Sequence, residues 1–331
     1  MKRPEAGGPG RKYLVTGGAG YIGGIVATML LEAGHEVVVL DDCSTGHAEA
    51  VPAGAKLVTA SVHEAASVLT GDFDGVFHFA GLIAAGESMT EPEKYWHVNT
   101  TGTLALLTAM RAAGVPRLVF SSTAAVYGNP AELPVTESAV TAPTSTYGAT
   151  KLAADHAVAS YAGAYGLAAV SLRYFNVVGA YRDLGGRWHG ERHLPETHLI
   201  PLALAAATGT GGPLRLYGED YDTPDGTCVR DYIHVADLAR AHLLAVDAAV
   251  PGRHLVYNLG NGVGFSNREV LDTVGRVTGR PVPVEAAPRR PGDPATLVAA
   301  SHRAETELGW RRHHPDLTDM VADAWEFHRH G

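Results

Sequence analysis

The stretch Thr16-Gly17-Gly18-Ala19-Gly20-Tyr21-Ile22-Gly23 decides the fold of this chain. It follows a short apolar run at 12–16 and precedes apolar residues that recur at helical spacing until Ala33-Gly34. Glycines in such a strand-to-helix turn let the backbone approach a pyrophosphate, which then faces the helix N-terminus. The order of strand, turn and helix therefore predicts a dinucleotide site. Its predicted contacts in the turn are Gly17, Gly20, Tyr21, Ile22 and Gly23.

An acidic residue closes the next predicted strand, which is where a dinucleotide site needs one. The run 36–40, Glu-Val-Val-Val-Leu, ends at Asp41, about 20 residues after the turn. A carboxylate there accepts hydrogen bonds from the adenosine ribose and repels a 2′-phosphate, and 42–45 offers no arginine to bind that phosphate. We therefore predict NAD rather than NADP. The predicted adenosine contacts are Asp41, Asp42, Ser44 and Thr45.

Strand and helix patterns alternate along the first half of the chain. Predicted strands lie at 12–16, 36–40, 56–58, 75–79, 117–121 and 168–173, with helices that include 104–112 and 147–164. This alternation predicts an α/β fold with a doubly wound parallel sheet, the Rossmann arrangement. Beyond Tyr174 the rhythm changes, which indicates a smaller, mixed α/β substrate domain at the C-terminal side, with helices at 199–208, 266–278 and 317–327.

These patterns divide the chain into an NAD-binding domain and a substrate domain. We place the NAD-binding domain at 11–175, with a return segment of the sheet at about 229–260. The substrate domain takes 176–228 and 261–331. The first residues, 1–10, mix charges with Pro and Gly without periodicity, which predicts a disordered leader.

Composition limits the classes of partner. The chain has 331 residues, a formal net charge of −9 and 46% hydrophobic residues, so it offers no basic stripe for nucleic acid or an anionic membrane. It has two cysteines, Cys43 and Cys228, and shows neither a signal peptide nor an apolar run long enough for a bilayer. We therefore expect a cytoplasmic protein without a structural disulfide, acting on a small molecule.

Tyr147 and Lys151 form a candidate catalytic pair. Residues four apart lie on one face of a helix, so the ammonium of Lys151 can lie beside the phenol of Tyr147. That ammonium and the positive ring of an oxidised nicotinamide would each lower the pKa of the phenol from about 10. The phenolate could then accept the proton of an alcohol. Taken alone, the spacing fits an ordinary amphipathic helix equally well, and only the upstream glycine turn favours catalysis.

Several segments, in order from about residue 12 to the end, resemble the extended short-chain dehydrogenase/reductase family and, within it, the UDP-glucose 4-epimerases. They are 16–23, 78–81 (His-Phe-Ala-Gly), 121–128 (Ser-Ser-Thr-Ala-Ala-Val-Tyr-Gly), 147–151, 173–176 (Arg-Tyr-Phe-Asn), 218–234 and 289–293. The resemblance implies interconversion of UDP-glucose and UDP-galactose by an isomerase that keeps NAD bound. It also implies a homodimer, which we expect to use the helices around 101–113 and 147–164.

The resemblance assigns functions to further residues. Thr123 takes the place of the family's catalytic serine or threonine and completes a trio with Tyr147 and Lys151. Besides Tyr147 and Lys151, it gives the NAD contacts as Ser61, Val62, Phe79, Ala80, Gly81, Leu82, Asn99, Ser121, Tyr174 and Phe175. It gives the substrate contacts as Thr123, Tyr147, Asn176, His198, Leu199, Leu216, Tyr217, Arg230, Tyr232, Arg290 and Asp293.

The mechanism implied by the resemblance is a transient oxidation at C4 of the sugar. Tyr147, as phenolate, takes the proton of the C4 hydroxyl directly or through Thr123, while the C4 hydride moves to NAD. The 4-keto intermediate then turns over, held by its UDP group, and receives the hydride on its opposite face. Such a reaction inverts C4 without net oxidation.

Three departures from the family pattern leave open which UDP-sugar is the substrate. Ser61 stands where relatives often have aspartate, and Ile83 stands where they often have lysine beside the cofactor. Leu297 occupies a position that in the family helps to decide whether an N-acetyl group fits. A 4-epimerase of UDP-N-acetylglucosamine or UDP-glucuronate is therefore the main alternative. An NDP-sugar 4,6-dehydratase is disfavoured, because Ala124-Ala125 follows Thr123 where those enzymes carry Asp-Glu.

Two further groups of side chains receive simpler interpretations. His189, His193 and His198 are near one another in sequence, but their spacing fits no helical pair of metal ligands, and we predict no metal. Arg289 precedes the aligned Arg290 and is interpreted as a solvated surface arginine.

Overall fold

The computed structural model describes residues 10–290 and 293–330, so the predicted leader lies outside the described residues except for Gly10. The first strands and helices are β1 (Lys12–Thr16), α1 (Tyr21–Glu32), β2 (Glu36–Asp41), β3 (Lys56–Thr59), β4 (Gly75–His78), α2 (Ala85–Thr90), α3 (Pro92–Tyr95), α4 (Gly102–Ala113), β5 (Arg117–Thr123), α5 (Thr146–Tyr165) and β6 (Ala168–Tyr174). Short 3₁₀ helices at Ala48–Ala50, Val62–Ser67 and Ala124–Tyr127 and a π-helical turn at Trp96–Thr101 complete this half.

The remaining elements follow Tyr174. They are β7 (Asn176–Val178), β8 (Tyr181–Arg182), β9 (Trp188–His189), α6 (Leu199–Thr208), β10 (Leu214–Tyr217), β11 (Val229–His234), α7 (Val235–Ala248), β12 (His254–Leu259), β13 (Gly264–Ser266), α8 (Asn267–Thr278), β14 (Val284–Ala287), β15 (Thr296–Leu297), α9 (His302–Glu307) and α10 (Leu317–His330). Within the described residues, no helix combines the length and the apolar character needed to cross a membrane.

The central sheet is parallel and doubly wound, as the sequence predicts. Its seven strands follow the order β12-β6-β5-β4-β1-β2-β3, and every neighbouring pair is parallel. The predicted strands and helices of the first half are confirmed, with ends that differ by one or two residues. Because the strand order reverses beside β1, the carboxyl ends of β1 and β4 flank the crevice where such sheets bind ligands.

Two apolar cores cover the two faces of this sheet. Tyr13 and Val15 of β1 point into a core shared with α1 and α7, whereas Leu14 points into a core shared with α4 and α5. Successive side chains of a strand alternate between faces, so an unbroken apolar run such as β1 is what a sheet covered on both sides requires. A third core joins α6, α8, α10 and β10 beside the sheet.

The predicted return of the chain to the central sheet is correct only for its second strand. Val229–His234 pairs with β7, β13 and β15 in a separate sheet, whereas β12 does join the central sheet beside β6. The physical reason is polarity: Arg230 and Asp231 interrupt the apolar pattern that a strand covered on both faces needs. The helix α7 between them packs on α1.

Acid should weaken the fold through His78, which lies buried beneath the cofactor turn. Its Nδ1 lies 2.7 Å from Thr16 Oγ1 and its Nε2 lies 2.9 Å from Thr103 Oγ1. Burial and the positive charge of Lys151 lower the pKa of His78 from 6.5 to about 3. Between these values the unfolded chain binds one more proton than the folded chain. The free energy of unfolding should therefore fall by ~1.4 kcal/mol for each pH unit below about 6.5.

The variant His78→Gln tests this contribution, because a glutamine does not titrate. Urea unfolding from about pH 7 to about pH 4 should show a pH slope smaller than that of the parent chain by ~1.4 kcal/mol per unit. His302→Gln is the matched control at an exposed histidine, and its slope should match that of the parent. An unchanged slope in His78→Gln would show that the buried imidazole does not govern acid stability.

Candidate active site

The glycine turn leaves the N-terminus of α1 open to a ligand. Gly17 has a φ of 72°, in the left-handed region that favours glycine. A Cβ on Gly17 would lie 2.5 Å from the backbone nitrogen of Ala80, and one on Gly23 would lie 2.3 Å from the carbonyl oxygen of Gly17. Gly20 is the N-cap of α1, and because glycine has no side chain, it supplies no capping group for the first N–H groups of the helix. The first backbone N–H groups of α1 therefore suit a pyrophosphate.

Asp41 lies where its carboxylate can receive an adenosine ribose. Its Oδ2 accepts a hydrogen bond of 2.9 Å from the backbone N–H of Ala19, and its Oδ1 accepts one of 2.8 Å from that of Cys43. These bonds fix the carboxylate beside the turn and leave lone pairs for hydroxyl donors. Burial raises the pKa of Asp41, while the two backbone bonds oppose that rise. Asp42 accepts a hydrogen bond of 2.9 Å from the N–H of Ser44.

A cavity of about 580 Å³ opens at this turn. Among the predicted NAD contacts, Gly20, Tyr21 and Thr45 line it, and its opposite wall comes from 182–193 and 326–330. The Tyr21 hydroxyl donates to the carbonyl oxygen of Gly179 over 2.6 Å, which ties the turn to the segment after β7. Neither Asp41 nor Tyr147 lines this cavity.

The loop after β4 is held by Asn99. Its Oδ1 accepts from the N–H of Leu82 over 2.8 Å, and its Nδ2 donates to the Leu82 carbonyl over 3.0 Å and to Thr150 Oγ1 over 3.1 Å. A Cβ on Gly81 would lie 3.0 Å from Asn99 Oδ1 and 3.3 Å from Lys151 Nζ. The buried amide of Asn99 thus connects the loop that holds Phe79 to Leu82 with helix α5.

The candidate catalytic trio meets at the carboxyl edge of the sheet. Thr123 is the last residue of β5, two residues beyond the strand end that the sequence predicts, and its side chain lies close enough to Tyr147 to lower the pKa of that phenol. Lys151 is buried and donates to the carbonyl oxygen of Ser121 over 3.0 Å. Ser145 is the N-cap of α5, and its Oγ accepts a hydrogen bond of 3.1 Å from the backbone N–H of Gly148. This cap fixes the start of the helix that carries both Tyr147 and Lys151.

The pKa of Tyr147 differs from the expectation that its lysine neighbour lowers it. Burial raises the pKa of Tyr147 above 10, and a hydrogen bond from Thr123 opposes this rise only in part. Burial also lowers the pKa of Lys151 to about 8, although the charge of Asp155 favours the ammonium. Burial therefore favours the neutral phenol of Tyr147, and a positive charge beside it would favour the phenolate.

A buried ion pair below the trio was missed by the sequence analysis. Asp155 Oδ2 accepts from Arg173 Nε over 3.1 Å and from Ser122 Oγ over 3.1 Å. Arg173 also donates to the Tyr127 hydroxyl over 3.1 Å, and Tyr127 donates to Asn258 Oδ1 over 2.7 Å. This network links α5, β5, β6 and β12 under the catalytic edge. The available signal was Asp155 itself, which follows Lys151 by one helical turn.

Several predicted substrate contacts make local interactions in the second half of the chain. Arg230 Nη2 lies 3.9 Å from Asp293 Oδ1, and its Nη1 donates to the carbonyl oxygen of Pro294 over 2.8 Å. The guanidinium of Arg290 lies 4.0 Å from the centre of the Tyr217 ring. Paired arginine donors of this kind suit a diphosphate.

Other predicted substrate residues are restricted by the fold. The Leu216 side chain is buried in the third core, so it can offer a ligand only its backbone, and Leu199 is half-buried beside the same core. Burial raises the pKa of Tyr232 to about 12, and Tyr232 lies opposite Asn176 in the pairing of β11 with β7. His198 is the N-cap of α6.

Comparison with known proteins shows the family of this chain. A family model described as NAD dependent epimerase/dehydratase family matches residues 13–260. The chain belongs to this family. The UDP-glucose 4-epimerase of Streptomyces lividans is 56% identical over 324 residues, covering 96% of each chain. That of Corynebacterium glutamicum is 54% identical over 318 residues, covering 96% of this chain and 95% of the other.

The fold of this epimerase/dehydratase family member also matches solved structures. The crystal structure of UDP-glucose 4-epimerase from Brucella ovis in complex with NAD has a TM-score of 0.90 and 44% sequence identity. The match covers 96% of this chain and 98% of that one. The resemblance inferred from the sequence motifs is thereby confirmed at the level of the family and the fold.

The residues that depart from the family pattern have the following surroundings in the structure. Ser61 caps the short helix Val62–Ser67, where its Oγ accepts from the N–H of His63 and Glu64 Oε2 accepts from the N–H of Ser61 over 3.1 Å. Val62 is buried. The Ile83 side chain is exposed. Leu297 is half-buried and packs against the core that contains Tyr127.

Arg289 has the surroundings of a surface arginine, whereas the three histidines do not form one group. Arg289 is half-exposed, pairs with Asp220 over 2.7 Å and lies 4.3 Å from the Tyr221 ring centre, as a surface arginine would. His189 pairs with Asp183 over 2.8 Å and is separate from His193 and His198. The latter two instead meet two carboxylates that the sequence analysis did not consider, Glu191 and Glu196.

Proposed function

We propose that this chain interconverts UDP-glucose and UDP-galactose with NAD held throughout the cycle. The observation that carries this proposal is the meeting of Thr123, Tyr147 and Lys151 at the sheet edge beside a glycine turn. Membership of the epimerase/dehydratase family supports it, as do relatives above 50% identity that are named UDP-glucose 4-epimerases. A catalytic trio at this edge would act on an alcohol carbon placed over the crevice.

The residues present fit NAD. The turn 17–23 would hold the pyrophosphate, because its glycines leave room for it. Asp41 would bind the adenosine ribose through its fixed carboxylate. The loop 79–82 and the buried ammonium of Lys151 would hold the nicotinamide half. When bound, NAD supplies a hydride acceptor and, in its oxidised form, a positive ring. We assign the remaining predicted contacts, including Ser121, Tyr174 and Phe175, to the same half of the cofactor.

In the proposed reaction Tyr147 takes the proton of the sugar C4 hydroxyl. Thr123 can both donate and accept, so it can relay that proton to the phenolate oxygen. Since burial raises the pKa of Tyr147, the phenolate depends on the ammonium of Lys151 and on the positive cofactor ring. When the hydride returns to the opposite face, Tyr147 gives the proton back, and C4 is inverted.

We assign binding of the UDP group to the side of the crevice formed by 176–228 and 261–330. Arg230 and Arg290 would hold the diphosphate, with His198 and Leu199 at the start of α6 adding donors. Asp293 would accept from the uridine ribose, and Tyr217 and the backbone of Leu216 would contact the base. Asn176 would also contact the UDP group, and Tyr232 lies opposite it where strands β7 and β11 pair.

A panel of UDP-sugars tests the proposal. Purified protein is incubated without added NAD, and products are resolved by NMR. Conversion of UDP-galactose to UDP-glucose supports the proposal. If only UDP-N-acetylglucosamine or UDP-glucuronate is inverted, the 4-epimerase reaction is supported but the proposed substrate is wrong. The C2 or C5 group of that substrate would then lie beside Leu297. A 4-keto-6-deoxy product would indicate a dehydratase, and no change with any sugar would refute an enzymatic function.

We also propose that two copies pair through α4 and α5. These helices pack side by side and expose Leu104 (39%) and Tyr165 (51%) on the surface. Arg111 lies 3.9 Å from the centre of the Tyr165 ring, which orders that surface. Light scattering on the purified chain should give the mass of a dimer, and Leu104→Arg should shift it toward the monomer. A monomeric parent chain would contradict the pairing.

A further inference from the structure

Four side chains converge in the segment between β9 and α6, on the route from the cofactor turn to the proposed diphosphate site. Glu191, His193, Glu196 and His198 each direct one ligand atom toward a common point, and these atoms all lie within 4.8 Å of one another. We call this group the 191–198 cluster. It contains two imidazole nitrogens and two carboxylates, so it is chemically unlike a patch of surface acids.

The separations inside the 191–198 cluster bracket the donor spacing of a four-coordinate metal site. His198 Nδ1 lies 2.5 Å from Glu191 Oε1 and 3.3 Å from Glu196 Oε1. His193 Nδ1 lies 2.9 Å from Glu191 Oε1 and 3.9 Å from Glu196 Oε2. In a tetrahedral zinc site with bonds of about 2.0–2.1 Å, neighbouring donor atoms lie about 3.3 Å apart. The observed distances lie on both sides of that value.

Ion pairing alone accounts less well for the same contacts. Both Nδ1 atoms approach the same oxygen of Glu191, and the two rings lie 5.3 Å apart. His193 Nδ1 is also buried without a hydrogen bond of acceptable geometry among the described residues. One divalent cation would satisfy both neutral rings and both carboxylates at once.

We propose that the 191–198 cluster binds one Zn²⁺. Imidazole and carboxylate ligands suit this ion, whereas Mg²⁺ and Ca²⁺ prefer sites made of oxygen atoms alone. The two ligands that the sequence analysis considered, His193 and His198, are joined by Glu191 and Glu196 in place of His189. The spacing Glu-x-His-x-x-Glu-x-His across a loop is why no helical ligand pair was visible in the sequence.

The position of the cluster suggests what the ion does. His193 lines the cavity at the glycine turn together with Gly20. The neighbouring Arg192 carbonyl oxygen lies 2.8 Å from His47 Nε2, on the segment that follows Asp41. His198 ends the loop as the N-cap of α6. Zn²⁺ would therefore fix one loop across the cofactor crevice and onto α6, as a structural ion that takes no part in proton transfer.

The experiment uses the full chain after dialysis against a chelator, and it needs no substrate. Titration with Co²⁺ should produce the visible absorption bands of a four-coordinate ion, saturating at about one per chain. Zn²⁺ should displace the cobalt signal and raise the melting temperature, whereas Mg²⁺ should do neither. Binding by inductively coupled plasma mass spectrometry should likewise give about one Zn²⁺ per chain.

Two single variants and a matched control identify the ligands. Glu191→Gln and His193→Ala should each weaken Zn²⁺ binding by about 100-fold or more, and circular dichroism should show that they remain folded. His302→Ala, at an exposed histidine, should bind as the parent does. Absence of a four-coordinate cobalt spectrum, or equal affinity in parent, Glu191→Gln and His193→Ala, would overturn the proposal. Because binding is measured without a sugar, this result is independent of the proposed epimerase activity.

Discussion

Tyr147→Phe should lower the turnover for C4 inversion by about 10³-fold or more while leaving cofactor and UDP binding in place. The variant removes only the hydroxyl that would exchange a proton with the sugar. The backbone N–H of Tyr147 still donates to Ser88 Oγ over 3.0 Å, so the start of α5 keeps its position. Turnover of UDP-galactose, with cofactor content measured on the same sample, checks the expectation.

The control for this substitution lies on the same helix. Tyr165→Phe removes a phenol at the far, exposed end of α5 and should leave turnover unchanged. If Tyr147→Phe turned over at nearly the parent rate, a different group would have to accept the C4 proton. Thr123 is the neighbour whose side chain would then be tested next, because it already influences the pKa of Tyr147.

Gly23→Ala should abolish retention of NAD and destabilise the fold by about 1–3 kcal/mol. Its Cβ would lie 2.3 Å from the carbonyl oxygen of Gly17 and 3.1 Å from the Cα of Gly18. Both neighbours are backbone atoms of the turn, so no side-chain rotation relieves the contact. The turn must open, which moves α1 away from β1 and spoils the cradle for a pyrophosphate. Absorbance of the purified protein and urea unfolding measure the two effects.

Gly163→Ala is the matched control, since it makes the same chemical change in α5. A Cβ at Gly163 meets nothing within 4 Å, and alanine favours a helix over glycine by roughly 0.5–1 kcal/mol. The control should therefore be slightly more stable than the parent and should keep its cofactor. Normal NAD content in Gly23→Ala would mean that the turn tolerates a side chain and that the pyrophosphate lies elsewhere.

Local patterns in the sequence predicted the central sheet because each strand and helix there carries its own signal. The apolar runs of β1 and β2, each followed by glycine or acid, required only neighbouring residues to interpret. The segment 229–260 was predicted to return to the central sheet, but its first strand, Val229–His234, pairs in a separate sheet. Tertiary packing determines which strand it pairs with. The periodicity of a polar strand carries no information about that pairing.

The site was predictable to the extent that its residues stand at the ends of these elements. Thr123 ends β5, and Tyr147 and Lys151 lie four residues apart on α5, which are local features that the sequence itself carries. The pKa of Tyr147 was not predictable, because desolvation depends on how completely the crevice encloses the phenol. The 191–198 cluster was not predictable either, because a loop without periodicity sets its geometry.

The buried contact between Asp155 and Arg173 limits how this sequence can drift over evolutionary time. Loss of either partner alone strands a charge where water cannot reach it, which commonly costs about 3–5 kcal/mol. Loss of both, with apolar residues of similar volume in their place, can be nearly neutral. Lineages that descend from this chain should therefore exchange the two positions together, and substitutions there should show strong epistasis when tested one at a time.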